Sequence, residues 1–151
     1  MVKRIITALI GLLLLIIIIR TLLSSEKRRF KKDIMELKGA VEQERYDTAL
    51  KYIDQSYNDE NGLTYEEIVN KIDRLFSSFD SIKVIISGLK LSIDSIGQDK
   101  TFYASCSLGL KVFARYREDK ILLFGGIIKP ASVRAWFKKV HTCYKLYNAQ
   151  Y

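Results

Sequence analysis

Few residues in this chain have side chains suited to chemistry. His141 is the one histidine, and His141-Thr142 reads as a turn between two strand-like runs. A general base has to reach its substrate in a sheltered pocket, so a surface turn argues against catalysis. Cys106 and Cys143 are far apart and form no CxxC or Cys/His metal spacing. Two buried thiols are the simple reading, and a disulfide becomes an option in an oxidising compartment. Asp94 and Asp99 flank Gly97-Gln98, where turn formation accounts for them. No glycine-rich phosphate loop, metal constellation or nucleophile elbow is present. No catalytic residue, metal ligand or cofactor is therefore assigned. What remains is hydroxyl chemistry. Tyr103 and Tyr116 lie on one long strand and Tyr144 on the last. An inward tyrosine can donate a hydrogen bond to a ligand, although tyrosine on a half-buried strand is usually packing. These three are the candidate pocket residues.

The strongest signal is physical. Ile5 to Ile19 carries no charge and is almost wholly Ile and Leu. As a helix those fifteen residues rise about 22 Å, and extension through Leu23 gives about 28 Å, against a bilayer core of about 30 Å. Ile5, Leu12, Ile19 and Leu23 mark the expected membrane span, with Arg20 snorkelling toward the headgroups. A cleaved signal peptide is the rival, but the small-x-small cleavage pattern is poor, which favours an uncleaved anchor. A buried soluble helix would rarely be apolar on every side.

The net charge of +8 is concentrated beside this segment. Residues 1–32 hold eight bases and one acid, and residues 33–151 hold seventeen bases and sixteen acids. Nucleic-acid binders carry their basic stripe on the folded domain, and this domain is near neutral, so no nucleic-acid partner is expected. Arg20, Lys27, Arg28, Arg29, Lys31 and Lys32 would meet lipid headgroups, at about 1 kcal/mol per charge on an anionic surface; a plain stop-transfer flank with no signalling role is the preferred account of them. The flanking charge favours a cytoplasmic C-terminal domain by the positive-inside rule, whereas anchors opening Met-x-Lys-Arg often leave the N-terminus inside. The flanking charge has the physical warrant, by a small margin, so the cytoplasmic side is slightly favoured. Expected boundaries are a membrane anchor at 1–25, a basic juxtamembrane segment at 26–33 and a folded domain at 34–151, with Ser24-Ser25 as the hinge.

Beyond the anchor, Phe30, Ile34, Leu37 and Val41, then Ala49, Leu50 and Ile53, recur at helical spacing. Gly39 and Tyr46 to Thr48 are candidate breaks, with Asp47 a candidate cap. Asn58 to Gly62 is a turn signal. Thr64 and Glu67 form a capping box before a helix over 64–79. The period then falls to two: Ile82, Val84, Ile86, a bulge at Ser87-Gly88, then Leu89, Leu91, Ile93. Phe102 to Ala114 alternates as a long strand, Gly125-Gly126 bends the chain, and Val133 to Phe137 and Tyr144 to Tyr147 complete the pattern. Helices followed by strands predict an α+β domain: a transmembrane helix, then two or three helices packed on a curved antiparallel sheet of about four strands. Residues 33–80 are acidic and residues 81–151 basic, as complementary layers would be.

The stretch Tyr46-Asp-Thr-Ala-Leu-Lys-Tyr-Ile-Asp, the turn Asn58 to Gly62, Leu63-Thr-Tyr-Glu-Glu-Ile, the strand Ser81 to Asp94 and the closing Cys143-Tyr-Lys-Leu-Tyr together resemble the nuclear transport factor 2-like, cystatin-like superfamily, over about 34–151. The segment Ile121 to Ala131 departs from that pattern and leaves the strand count open. The resemblance implies a curved sheet wrapped around helices as a cone with a pocket. Such folds serve isomerases, cyclases, dehydratases and noncatalytic modules, so fold does not deliver function. The catalytic ones place a carboxylate or a His–Asp pair inside the cone. The expectation here is a membrane-tethered noncatalytic binding or assembly domain, acting through its pocket or sheet face. A tethered small-molecule lyase or isomerase is the first alternative, and a component of a secretion or conjugation complex the second. Expected partners are membrane lipid, a small-molecule ligand, and a second copy or a membrane protein.

Overall fold

The computed structural model describes the backbone of residues 2–151 and side chains from Leu9 onward. The Ile5 side chain, at the start of the expected span, lies outside the described residues. Helix α1 runs unbroken over Val2–Glu42, which is about 60 Å at 1.5 Å per residue. Leu9 to Leu23 is exposed on all sides, Leu9 by 60% and Leu13 by 62%, so this stretch takes no part in the core of the described domain. By length and composition this helix can cross a bilayer; its apolar window has a mean hydropathy of 2.1.

The helix does not hinge where a break was expected. Ser24, Ser25 and Gly39 are all helical, and α1 ends only at Gln43 to Arg45, where Glu44 takes φ 53°. Nor is 26–33 a detached basic segment: Glu26, Phe30 and Asp33 are buried against the domain. They continue through Ile34 at i, i+4 spacing, so one face of the helix is core from Glu26 onward.

Helix α2 (Tyr46–Lys51) is short, with Arg45 at its N-cap position and Asp47 in the first turn without a capping bond. Helix α3 (Tyr65–Ser78) carries the expected box, the Thr64 N–H donating to Glu67 Oε2 at 2.8 Å. The strands are β1 (Ser81–Ile96), β2 (Phe102–Tyr116), β3 (Asp119–Phe124), β4 (Ala131–Val140) and β5 (Cys143–Gln150). All named pairs are antiparallel, in the order β1-β2-β4-β5, with β3 beside β2. This resolves the Ile121 to Ala131 segment. One edge of β2 pairs with β4 over Tyr103 to Leu110 and with β3 over Val112 to Tyr116. The chain must leave the sheet between the two, at Gly125. That residue has φ 89°, and a Cβ there would stand 2.6 Å from the Leu110 carbonyl oxygen.

Gly88, at φ 60°, absorbs the register shift between Ser87 and Lys90. The shift moves the inward set from Ile82, Val84 and Ile86 to Leu89, Leu91 and Ile93 without changing face. Phe30 and Ile34 of α1 pack there with Ala104, Cys106, Ala135, Phe137 and Tyr144. Leu75, Phe76 and Phe79 close the far end over Ile82, Val84 and Ala114. The free edge of β5 is covered by Tyr52 to Asp54: the Asp54 N–H donates to the Leu146 carbonyl and the Leu146 N–H to the Tyr52 carbonyl, both at 2.8 Å.

Candidate functional site

Between α1 and the concave sheet lies a cavity of about 340 Å³, near the lower end of the range of ligand pockets, about 300–1,000 Å³. Ile34, Leu37 and Val41 form its helical wall, and Cys106, Leu108 and Ala135 its floor. Phe124 and Tyr151 stand together in its wall with ring centroids 5.7 Å apart. The lining contains no carboxylate and no imidazole. Its two polar side chains are already engaged: Lys38 Nζ donates to Glu42 Oε2 at 2.7 Å, and the Tyr151 hydroxyl to Asp59 Oδ2 at 2.7 Å. Burial pushes the Cys106 thiol up to about 11, so it stays protonated and weakly nucleophilic. Such a site can enclose an apolar group, and its lining presents neither a carboxylate nor an imidazole to it.

None of the three candidate pocket tyrosines lines this cavity. Tyr103 is half-buried and packs edge-on to Tyr147 at 6.3 Å. Tyr116 is 46% exposed at the far end of β2, against Phe79. Tyr144 is fully buried and serves as a fastening for the helix. Its hydroxyl donates to Glu26 Oε2 at 2.8 Å, and its N–H to Asp33 Oδ2 at 2.8 Å. The tyrosine that does reach the cavity is Tyr151, which strand alternation could not reveal at a chain end. His141 is exposed in the β4–β5 turn with φ 55°. Both cysteines are buried free thiols.

The fastening joins α1 to β4 and β5. Lys139 Nζ donates to both Glu26 oxygens at 2.7 and 2.8 Å. Burial alone would raise the Glu26 carboxyl, but the hydrogen bonds from Lys139 and Tyr144 outweigh it and hold it below the usual carboxylate range. Asp33 goes the other way, raised chiefly by burial despite the Tyr144 N–H. The signal for both was present in sequence: Glu26 is the one acid and Phe30 the one aromatic within the basic run, four residues apart.

The Asp33 shift gives a signed expectation. A carboxyl that binds its proton more tightly folded than unfolded makes folding take up a proton, so stability falls as pH rises through that window. Asp33→Asn keeps an acceptor for the Tyr144 N–H and removes the charge. The variant should be at least as stable as the parent at pH 7, and its advantage should vanish below the ordinary aspartate value of 3.8. Urea midpoints at pH 7 and pH 3 check this; a large loss at pH 7 would refute it.

The six basic residues expected at headgroups fall into three groups. Arg29 and Lys32 pair with Glu26 and Glu36 on their own helix, at 4.0 and 3.6 Å. Lys27, Arg28 and Lys31 turn toward β1 and make no ion pair among the described residues. Arg20 lies within the apolar run.

No family model matches the chain, and a search of curated proteins finds no match. Solved structures do match. A point mutant of the helical cell shape determining protein Pgp2 from Campylobacter jejuni superposes with a TM-score of 0.61 at 13% identity over 78% of this chain. The chain spans only 38% of that protein's length. A candidate dehydratase of the nuclear transport factor 2-like family from Streptomyces avermitilis gives 0.62 at 8% identity, covering 83% of this chain and 94% of its own. A candidate scytalone dehydratase from Novosphingobium aromaticivorans gives 0.60 at 10% identity, covering 83% and 81%. At such identities the likeness shows the fold alone.

Proposed function

We propose that this chain, a nuclear transport factor 2-like fold carried on a long apolar helix, is a membrane-tethered, noncatalytic domain that binds an apolar ligand in its cone. The observation that supports this reading is the composition of the cavity wall, apolar except for two side chains whose polar ends are occupied. The dehydratase names of two structural neighbours suggest a lyase instead; that chemistry needs an acid or base free to reach substrate, and here Lys38 and Tyr151 are bonded to Glu42 and Asp59.

The test uses the full chain in bilayer nanodiscs, methyl-labelled at Ile, Leu and Val, titrated with 1-naphthol as an apolar probe. Saturable shifts of the Leu108, Val133 and Leu146 methyl signals are expected. Ala135→Phe, which fills the floor, should weaken binding at least tenfold. Shifts that never saturate, or that survive Ala135→Phe, would remove the ligand reading.

An assembly role is favoured by a different feature. Ile127 and Ile128 are 88% and 89% exposed on the loop after β3, and Lys111 Nζ holds that loop by bonding both of their carbonyls, at 2.8 and 3.2 Å. A stoichiometric partner that copurifies with the chain from membranes and is lost on replacing both isoleucines by serine would support it.

A further inference from the structure

A second concavity, of about 770 Å³, opens between α1 and the edge strand β1. It begins at Leu23 and Ser24, where the apolar run ends, and continues past Lys27, Arg28 and Lys31, with Leu89 to Ile93 opposite. From Ser24 to Lys31 the helix rises about 10 Å. The headgroup layer on each face of a bilayer is about 5–8 Å thick. If Ile5 to Leu23 fills the hydrocarbon, this groove begins at the level of lipid phosphates.

Both of its walls offer donors. The three cations of the helical wall are exposed and unpaired among the described residues, whereas their neighbours Arg29 and Lys32 stand within 4.0 Å of the Glu26 and Glu36 carboxylates. The other wall is a sheet edge, with alternate N–H groups that pair with no strand. At the far end of this edge the Val84 N–H donates to Glu42 Oε1 at 2.9 Å, so the edge faces α1 and donates to an anionic oxygen there. The period of two, shifted by the Gly88 bulge, assigns the same outward N–H direction to Leu91 and Ile93. Those residues line the groove. Here α1 presents cations in place of a carboxylate, which leaves both walls seeking an anion.

We infer that the groove between α1 and β1 is a binding site for the phosphate of an anionic phospholipid, held between Lys27, Arg28 and Lys31 and the edge of β1. The lipid source rests on the membrane tether proposed above; the phosphate chemistry does not. Acyl chains of such a lipid would lie along Leu12 to Leu23, and the domain would be held at one height and rotation on the membrane rather than swinging on a tether.

Native mass spectrometry of the full chain released from nanodiscs of phosphatidylcholine with one-fifth phosphatidylglycerol tests this. Retained phosphatidylglycerol is expected on the parent chain. Two double variants remove equal charge: Lys27→Ala with Lys31→Ala from the groove, and Arg29→Ala with Lys32→Ala from the outer face. The groove pair should reduce retention about fivefold per cation, the equivalent of about 1 kcal/mol each, and the outer pair less than twofold. Equal losses would overturn the site, as would no retained lipid together with no response to glycerol phosphate. A parallel titration of phosphatidylcholine nanodiscs with glycerol phosphate separates the sources. Amide shifts at Leu91 and Ile93 there, without retained lipid, would overturn the lipid assignment in favour of a soluble phosphate. Release of the chain from membranes by alkaline carbonate would defeat the tether and the lipid source together.

Discussion

Phe30→Ala is expected to destabilise the folded domain by about 3–5 kcal/mol, the cost of emptying a buried aromatic site. Phe30 is fully buried, and its ring stands 4.9 Å from both the Phe137 and the Tyr144 ring centroids. Aromatic pairs of that geometry add about 0.5–1.5 kcal/mol beyond area burial. Domains of this size are stable by about 5–15 kcal/mol, so one side chain from the supposed linker would carry a large share. Urea unfolding of the micelle-solubilised chain, followed by fluorescence of Trp136, the one tryptophan, measures it. The thermal midpoint should fall by about 10–20 °C. Phe30→Leu, which retains most of the volume, should lose far less. A loss under 1 kcal/mol for the alanine variant would mean that the helix is only a tether after all.

Glu26→Ala should have the next largest effect, about 3 kcal/mol at pH 7, because breaking a buried pair leaves its partner's charge uncompensated. The Glu26 and Lys139 side chains are 10% and 15% exposed, and the Tyr144 hydroxyl would lose its acceptor as well. Removing Lys139 in addition should cost less than the sum of the two single changes, with a coupling of about 1–3 kcal/mol in a double-mutant cycle. The pH dependence runs opposite to that of Asp33. Glu26 holds its proton less tightly folded than unfolded, so its stabilisation is complete above the ordinary glutamate value of 4.5 and is lost as pH falls through the lower folded value. The deficit of Glu26→Ala against the parent should therefore shrink in acid. A deficit that stays constant from pH 7 to pH 3 would show that the carboxylate charge is not what matters.

Much of the sheet was legible along the chain because a strand buried on one face writes its orientation as alternation. Gly88 marked the bulge, the Thr64–Glu67 box marked a helix start, and Phe102 to Ala114 marked the central strand. The spur strand β3 was not legible. Nothing local distinguishes a strand that shares an edge with another from one that owns it. The cavity's lining was not legible for a related reason. Alternation marks Tyr103, Tyr116 and Tyr144 as strand hydroxyls, yet none lines the cavity, whose place depends on where α1 lies across the sheet.

Helix α1 carries this division most clearly. Its composition alone determined an apolar stretch of about bilayer length flanked by bases, since transfer free energy is a property of the residues themselves. Its spacing alone determined a helical stripe through Phe30, Ile34, Leu37 and Val41. What those residues meet is a property of contacts far apart in sequence, and only the tertiary structure decided it. Folding brought Lys139 and Tyr144 to Glu26, turned Lys27 and Lys31 toward the edge of β1, and made the expected linker the central rod of the domain.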